Sequence, residues 1–565
     1  MPKTVGIGIQ SFKKLIINHC FYIDKTRFIK EWWENQDDVT LITRPRRFGK
    51  TLNLDMLDCF FSIRNKDQGQ IFENLFIGKE EKYRRLQGTY PVIFLSFADS
   101  KETTLFAAKK RICQIIEALY HQYDFLLDND CLNNREKENF RRISVDMADY
   151  EAANSIKMLS LYLSRYYGKK VIIFMDEYDT PLQEAYIHDY WQEFVGFIRS
   201  FFNSTFKTNP SLERALLTGI TRISKESIFS DLNNIEVITT TSEKYSTSFG
   251  FTEAEVAGAL EQFGLKEHLH QVRHWYDGFC FGSQTNIYNP WSITKYLDTG
   301  KFGTYWANTS SNNLVGKLIR EGSPEVKTAA EDLLYGKIIE TTLDEEISFS
   351  QLEGSAEAVW SLLLASGYLK AEGIRDTDKD DERSEPIYSL SLTNLEIRKD
   401  FRRMIQSWFK NPSVRYNDFI QALLENNVSY MNQYMNHMAM VMFSFFDSGN
   451  TPSEHSEPER FYHGFVLGLI ADAKLDYVIT SNRESGLGRY DVVMEPKDNT
   501  ANAYIFEFKV KAPDEAELKT TAKNALQQIK EKNYDAELFH RGIPRENIYH
   551  YGFAFSGKKV FILSD

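Results

Sequence analysis

An α/β chain of several domains is the fold class this sequence predicts, and three observations predict it. Over residues 1–240, short apolar runs alternate with segments of helical periodicity, the pattern of a parallel sheet covered by helices. From Phe251 the reading turns helical through a lid-like stretch and the middle of the chain. After a turn-rich, apolar-poor break at Asp447–Pro458, a new compact α/β pattern begins. Length agrees, since 565 residues at roughly 100–200 per domain give about three or four domains.

Taken in order, Val39–Thr43, Val92–Phe97, Val171–Met175 and Ala215–Ile220 read as buried strands, and Ile156–Tyr167 has helical spacing between them. Thr252 followed by Glu255 is a capping box that opens the helical stretch. Asp376–Pro386 is too charged to bury and reads as a surface break. Tyr388–Arg398 reads as a strand entering a helix, and Trp306, Trp360 and Trp408 as core anchors. The last section reads as a helix Glu459–Ala471, strands at Tyr490–Glu495 and Ala503–Val510, and a long helix Ala512–Lys532. Strands Tyr551–Phe555 and Val560–Leu563 close it.

Composition removes several function classes. Hydrophobic residues make up 42% and charged residues 26%, so the chain buries cores. The longest apolar runs fall far short of the ~20 residues a membrane span needs, and the N-terminus lacks a signal-peptide core. Five cysteines without CxxC spacing exclude a disulfide scaffold and a cysteine zinc site, and suit a cytoplasmic location. His268, His270 and His274 lack acidic or cysteine partners for zinc. A net charge of −12 excludes a histone-like, purely electrostatic nucleic-acid binder, though not a local basic site.

The first chemical constellation follows the first strand. Arg44, Arg46, Arg47, Phe48, Gly49, Lys50 and Thr51 form a loop that departs from GxxxxGK[ST] only in placing Arg44 where the first glycine belongs. Such loops wrap phosphates in backbone N–H groups, neutralise them with the lysine and hold Mg²⁺ with the hydroxyl. A lysine at a helix start opposes the macrodipole, and a bound phosphate resolves that conflict; the plain alternative is a turn before a cationic helix. The strand Val171–Met175 then ends in Asp176 and Glu177, suited to a Mg²⁺ shell and to a water-polarising carboxylate. Thr218 and Arg222, at the end of a further strand, suit a γ-phosphate sensor and a transition-state charge, or a plain solvent-facing strand end.

These residues resemble the AAA-ATPase-like family. Arg44–Thr51, Asp24–Lys25, Asp176–Pro181, Leu217–Ile220, Phe251–Val256, Trp275–Phe279 and Tyr288–Ser292 are similar to that family's blocks and occur in order over about residues 5–300. The resemblance implies a P-loop NTPase parallel sheet with a helical lid, ATP as ligand, and Arg44 in place of glycine as the family's habit.

A second constellation lies in the tail. Asp491 precedes an apolar run, and Glu507 and Lys509 alternate to one face of a strand while Phe506, Phe508 and Val510 take the other. Two carboxylates and a lysine on adjacent strands suit metal-dependent phosphodiester cleavage; strands also alternate Glu and Lys for solubility alone. Glu459, Tyr462 and His463 share one helical face, and Gln528 adds a polar group on the following helix. Glu459–Gly464, Gly488–Asp491, Phe506–Lys509 and Ala525–Ile529 resemble the PD-(D/E)XK nuclease superfamily over about residues 455–565. That resemblance implies an α/β restriction-endonuclease-like domain with Glu459, Asp491, Glu507, Lys509 and Gln528 in its site.

The expectation is therefore a P-loop core at 1–240, a helical lid at 241–310, a mainly helical connecting region at 311–446 and a nuclease-like domain at 455–565. ATP and Mg²⁺ are the expected cofactors, with Mn²⁺ able to serve the nuclease site. The expected metal-binding residues are Thr51, Asp176, Asp491 and Glu507. The expected partner is nucleic acid, DNA ahead of RNA, with room for a homo-oligomer and no role for a membrane. The rival reading is a nucleotide-dependent switch, or a nucleic-acid-binding or partner-recruiting protein, that cuts nothing.

Overall fold

The computed structural model describes residues 4–221, 232–306, 313–321, 324–334, 336–344, 355–375, 385–408, 417–442, 466–467, 470, 477–485, 488–498, 501–512, 515, 517–556 and 559–565. The described chain divides into two compact units, 1–318 with 336–401, and 319–335 with 402–565.

The first unit is built on β1 (Val39–Thr43), β2 (Val92–Ser96), β3 (Val171–Asp176), β4 (Leu212–Gly219) and β5 (Ile235–Ile238), all parallel, in the order β2-β3-β4-β1-β5. β1 and β3 are buried at every position, as strands covered on both faces are. Phe12, Phe28, Trp32, Phe60, Phe61 and Phe174 pack together in one core of this unit. The strand ending in Asp176 is not adjacent to the strand before the loop: β4 lies between them, and its Thr218 donates to the same Asp176 carboxylate that Thr51 reaches.

Residues 241–310 are not purely helical. β6 (Phe251–Thr252), β7 (Phe279–Phe281) and β8 (Gln284–Tyr288) form a small antiparallel sheet in the order β6-β8-β7, among helices Glu253–Gln262, Leu269–Tyr276 and Pro290–Thr299. The capping box forms as expected, with Thr252 N donating to Glu255 at 2.7 Å and Glu255 N to Thr252 Oγ1 at 3.4 Å. Glu255 also takes the buried Lys25 ammonium at 2.8 Å.

The connecting region is mainly helical, as expected, and also holds a small sheet. β9 (Ile339–Thr341), β10 (Leu369–Arg375) and β11 (Ile387–Leu392) pair antiparallel in the order β10-β11-β9, and β11 leads into helix Leu395–Trp408. Trp306 and Trp360 are buried, as expected of anchors. Trp408's side chain lies outside the described residues.

In the second unit, β12 (Tyr477–Ser485), β13 (Gly488–Pro496), β14 (Ala503–Val510), β15 (Ile548–Ser556) and β16 (Lys559–Ser564) lie in that order. Only β14 and β15 are parallel, and helix Leu518–Lys532 makes the crossover between them. Strand alternation sorts the faces. Val492, Met494, Phe506 and Phe508 face one core, whereas Val493, Ala503 and Ile505 face the core beneath helix Leu518–Lys532. A Cβ on Gly552 would meet the Ala522 carbonyl at 2.4 Å, so glycine at this position lets the helix lie against β15. Among the described residues no helix is long and apolar enough to cross a membrane.

Helices Asn417–Leu424 and Val428–Met442, which the sequence reading assigned to the connecting region, belong to this second core. Phe419, Ala422, Leu423, Met431, Tyr434 and Met435 recur at helical spacing and pack with Phe506, Phe508 and Tyr551. The second helix also covers the sheet edge. Asn432 exchanges hydrogen bonds with Ile562 N (2.8 Å) and O (2.9 Å), and Asn436 does so with Val560 N (3.0 Å) and O (2.7 Å). Two amides one helical turn apart thus act as a neighbouring strand would and blunt β16 against pairing with another chain. Asn432→Ala with Asn436→Ala should destabilise the unit by roughly 2–4 kcal/mol, from four hydrogen bonds at their usual net worth. Urea unfolding checks this, and light scattering should show concentration-dependent association of the double variant alone.

Candidate functional site

The loop from Arg44 to Gly49 is anchored by its own side chains. Arg44, expected on a phosphate, is fully buried and turned away from the open cavity. Its guanidinium donates to the carbonyls of Thr43 (3.1 Å), Thr239 and Lys244 (3.5 Å) and lies 4.3 Å from the Phe281 ring. Burial lowers its pKa to about 9. The correction has a simple cause: the segment after β5 offers carbonyls, and a planar fork of donors satisfies several of them at once.

Phe48 is a second anchor, buried edge-on against Phe279 (4.7 Å) and Phe281 (5.4 Å). The third is the Arg46 carbonyl, which accepts from Asn289 Nδ2 at 3.2 Å and Trp306 Nε1 at 3.0 Å. Trp306 N in turn donates to the buried Glu396 at 2.6 Å. Gly49, at φ 81, makes the left-handed turn that starts helix Lys50–Phe61.

Behind the loop, Asp176 joins two strands and a helix. Its carboxylate accepts from Thr51 Oγ1 at 2.7 Å and from Thr218 Oγ1 at 2.6 Å. Thr218 is fully buried, so it positions Asp176 rather than facing the cavity as a γ-phosphate sensor would. Arg222 lies outside the described residues. Lys50 Nζ donates to the Arg44 and Pro45 carbonyls, both at 2.9 Å. Burial lowers its pKa, opposed by the charges of Glu177, Asp179 and Asp176. Glu177 has a left-handed φ of 49, uncommon for a residue with a Cβ, and accepts from Thr180 Oγ1 at 3.3 Å.

The sequence alone assigns no role to Asp179. It is buried, and one oxygen accepts from Ile220 N, Thr221 N and Thr221 Oγ1, each at 2.9 Å, and from Gln183 Nε2 at 2.8 Å. The turn after β4 is thereby tied to β3. Gly219 permits the approach, because a Cβ there would meet Tyr178 at 2.6 Å and Asp179 at 2.7 Å. Its sequence signal was a second aspartate three residues beyond Asp176.

A cavity of about 520 Å³ opens in front of these groups, lined by Arg46, Arg47, Lys50, Thr51 and Glu177, with the 5–10 segment and Trp291 completing its wall. That volume is within the range of small-molecule sites. The Thr51 hydroxyl and the Asp176 carboxylate are hard oxygen donors in contact with each other, a set that fits Mg²⁺.

In the second unit, Asp491 and Glu507 extend the rows Val493 and Ala503–Ile505 beyond the apolar core on the helix-covered face. Asp491 Oδ2 accepts from Phe508 N at 2.8 Å, and Gln528 Nε2 donates to Glu507 Oε1. Gln528 also reaches the Tyr534 hydroxyl at 3.3 Å. Burial raises the Tyr534 pKa, Gln528 lowers it, and the charges of Glu507 and Asp491 raise it, so both carboxylates act on that hydroxyl. Tyr534 was missed by the sequence reading; Asn533, at φ 52, ends the helix and turns the chain there. Lys509 follows Glu507 on the same face, half-buried beside β15. Glu459, Tyr462 and His463 lie outside the described residues. Among the described residues no three His, Cys, Asp or Glu side chains cluster to hold a metal. The two carboxylates fit a hard cation whose remaining positions are filled by water.

Comparison with known proteins finds a family for each of two regions of the chain. Residues 6–229 match the family model of a predicted AAA-ATPase, and residues 457–565 match that of the PD-(D/E)XK nuclease superfamily. An "Uncharacterized protein in vnfD 5'region" of Azotobacter chroococcum mcd 1 is 25% identical over 560 residues, 96% of this chain and 95% of that protein.

Arg44→Leu should cost roughly 2–4 kcal/mol in denaturant unfolding, because it strands buried carbonyls. Arg44→Lys should recover little of this, since one ammonium cannot span the same acceptors.

Proposed function

Proceeding from a chain that joins an AAA-ATPase-like domain to a PD-(D/E)XK nuclease superfamily domain, we propose that it binds and hydrolyses ATP and cleaves nucleic acid, DNA ahead of RNA. The observation that carries the first half is the buried Asp176 carboxylate, which is bonded to Thr218 and to Thr51, the latter lining the cavity beside Lys50. Lys50 leaves its two loop carbonyls to neutralise the phosphates. Thr51 and Asp176 would hold Mg²⁺, which when bound offsets charge on the phosphates. Glu177 orients the attacking water and receives its proton.

At the second site Asp491 and Glu507 would hold a divalent cation, Mg²⁺ or Mn²⁺, that stabilises the charge developing on the phosphodiester. Lys509 steadies the phosphate or the water, and Gln528 with Tyr534 fixes the Glu507 carboxylate. Glu459 joins them in this reading. The protein acts in the cytoplasm, in keeping with its five free thiols.

Lys50→Ala should abolish ATP binding in calorimetry, and unchanged affinity contradicts the P-loop assignment. Glu177→Gln should slow turnover roughly 10²-fold or more while leaving affinity nearly unchanged. A parallel loss of binding would make Glu177 a structural residue.

On plasmid, linear DNA and RNA with Mg²⁺ or Mn²⁺, Asp491→Asn and Glu507→Gln should each lose metal binding and cleavage. The double variant should be little worse, because residues acting as a unit are not additive. Lys509→Ala should lose cleavage and keep the metal. Wild-type protein that binds ATP and metal yet cuts none of these substrates would favour the nucleotide-dependent switch.

A further inference from the structure

We propose that Arg47 is a guanidinium directed at the nucleotide's phosphate chain and that Trp291 is the residue that positions it. This rests on the nucleotide reading above and assigns a task within that site. Arg47 is exposed and lines the cavity together with Lys50, Thr51 and Glu177. Its φ of 66 is left-handed, a conformation that residues with a Cβ seldom adopt unless the surroundings impose it. Among the described residues no carboxylate lies within ion-pair distance of it. The guanidinium carbon instead lies 4.6 Å from the centroid of the Trp291 ring.

Both partners are held from behind. Trp291 opens helix Pro290–Thr299, its N–H bonded to Asn289 Oδ1 at 2.9 Å and its indole N–H to the Tyr305 carbonyl at 3.2 Å. The same Asn289 donates to the Arg46 carbonyl at 3.2 Å, so one side chain ties the Trp291 backbone to the backbone next to Arg47. Lys295 lies near the ring as well, at 5.4 Å.

Arg44 and Arg47 therefore differ in kind. Arg44 is committed to buried carbonyls, whereas a cation–π contact at an exposed position is weaker than a charge-assisted hydrogen bond to a phosphate. The Trp291 face holds Arg47 in the cavity without competing with an anion. A nucleotide draws the guanidinium off the ring, and the indole loses the nearer of its two cations.

The test uses the full chain with ATP. Arg47→Ala should weaken ATP binding roughly tenfold or more, the loss of a charge-assisted contact, with unchanged circular dichroism. Trp291→Phe keeps a ring face and should retain affinity, while Trp291→Leu should fall toward Arg47→Ala. ATP should change the wild-type tryptophan emission, and this change should vanish in Trp291→Phe and in Arg47→Ala. Wild-type affinity in Arg47→Ala, alongside loss of binding in Lys50→Ala, would overturn the proposal and leave the nucleotide site standing. The same emission change with and without Arg47 would overturn it equally. Absence of ATP binding by the wild-type chain would remove the nucleotide reading itself.

Discussion

A guanidinium buried without a carboxylate within ion-pair distance among the described residues holds the phosphate loop in shape. Arg44 stands where a loop of this kind ordinarily has a glycine, and its charge is balanced by carbonyl dipoles and the Phe281 ring. Taking a charge out of water is costly, and the cost is met only where hydrogen bonds replace the lost hydration. Thr239, a principal acceptor, lies 195 residues along the chain. The loop's shape is thus a property of the assembled first unit. With Arg44 anchored inward, Phe48 between two phenylalanines and the Arg46 carbonyl held by Asn289 and Trp306, Arg47, Lys50 and Thr51 are left to line the cavity.

Both sites use a buried polar hub to aim exposed chemistry. Asp176 gathers Thr51 and Thr218, and Asp179 gathers the turn after β4, so the strand inserted between β1 and β3 ties the loop to the acidic strand. In the second unit Gln528 links Glu507 to Tyr534, and Gly552 lets the supporting helix approach the sheet. In both places, hydrogen bonding fixes side chains that would otherwise sample several rotamers, which is what a preorganised site requires.

What was legible in the sequence is what short-range periodicity controls. The parallel strands follow from continuous apolar runs, the capping box from its two residues, and the shared face of Glu507 and Lys509 from strand alternation. Asp176 beside Thr51 follows from two motifs that meet in any sheet of this order. β5 and β12 went unread because β5 has four residues and β12 carries a polar run from Thr480 to Glu484. β9 and β10 were hidden in a region read as mainly helical, whereas β11 is the strand that the run from Tyr388 announces. The inward turn of Arg44 was not legible at all, because its acceptors are backbone atoms of a distant segment. Asn432 and Asn436 look like surface polars on an amphipathic helix until β16 is laid beside them.

Hydrogen–deuterium exchange on the full chain, with and without Mg²⁺ and a non-hydrolysable ATP analogue, tests the central claim most directly. If the loop is held by the fold and receives the nucleotide, the amides of residues 239–244 should exchange slowly in both conditions. Those of residues 46–52 should become protected only when nucleotide is present. Unchanged exchange at 46–52 under saturating nucleotide, or rapid exchange at 239–244 throughout, would contradict the account.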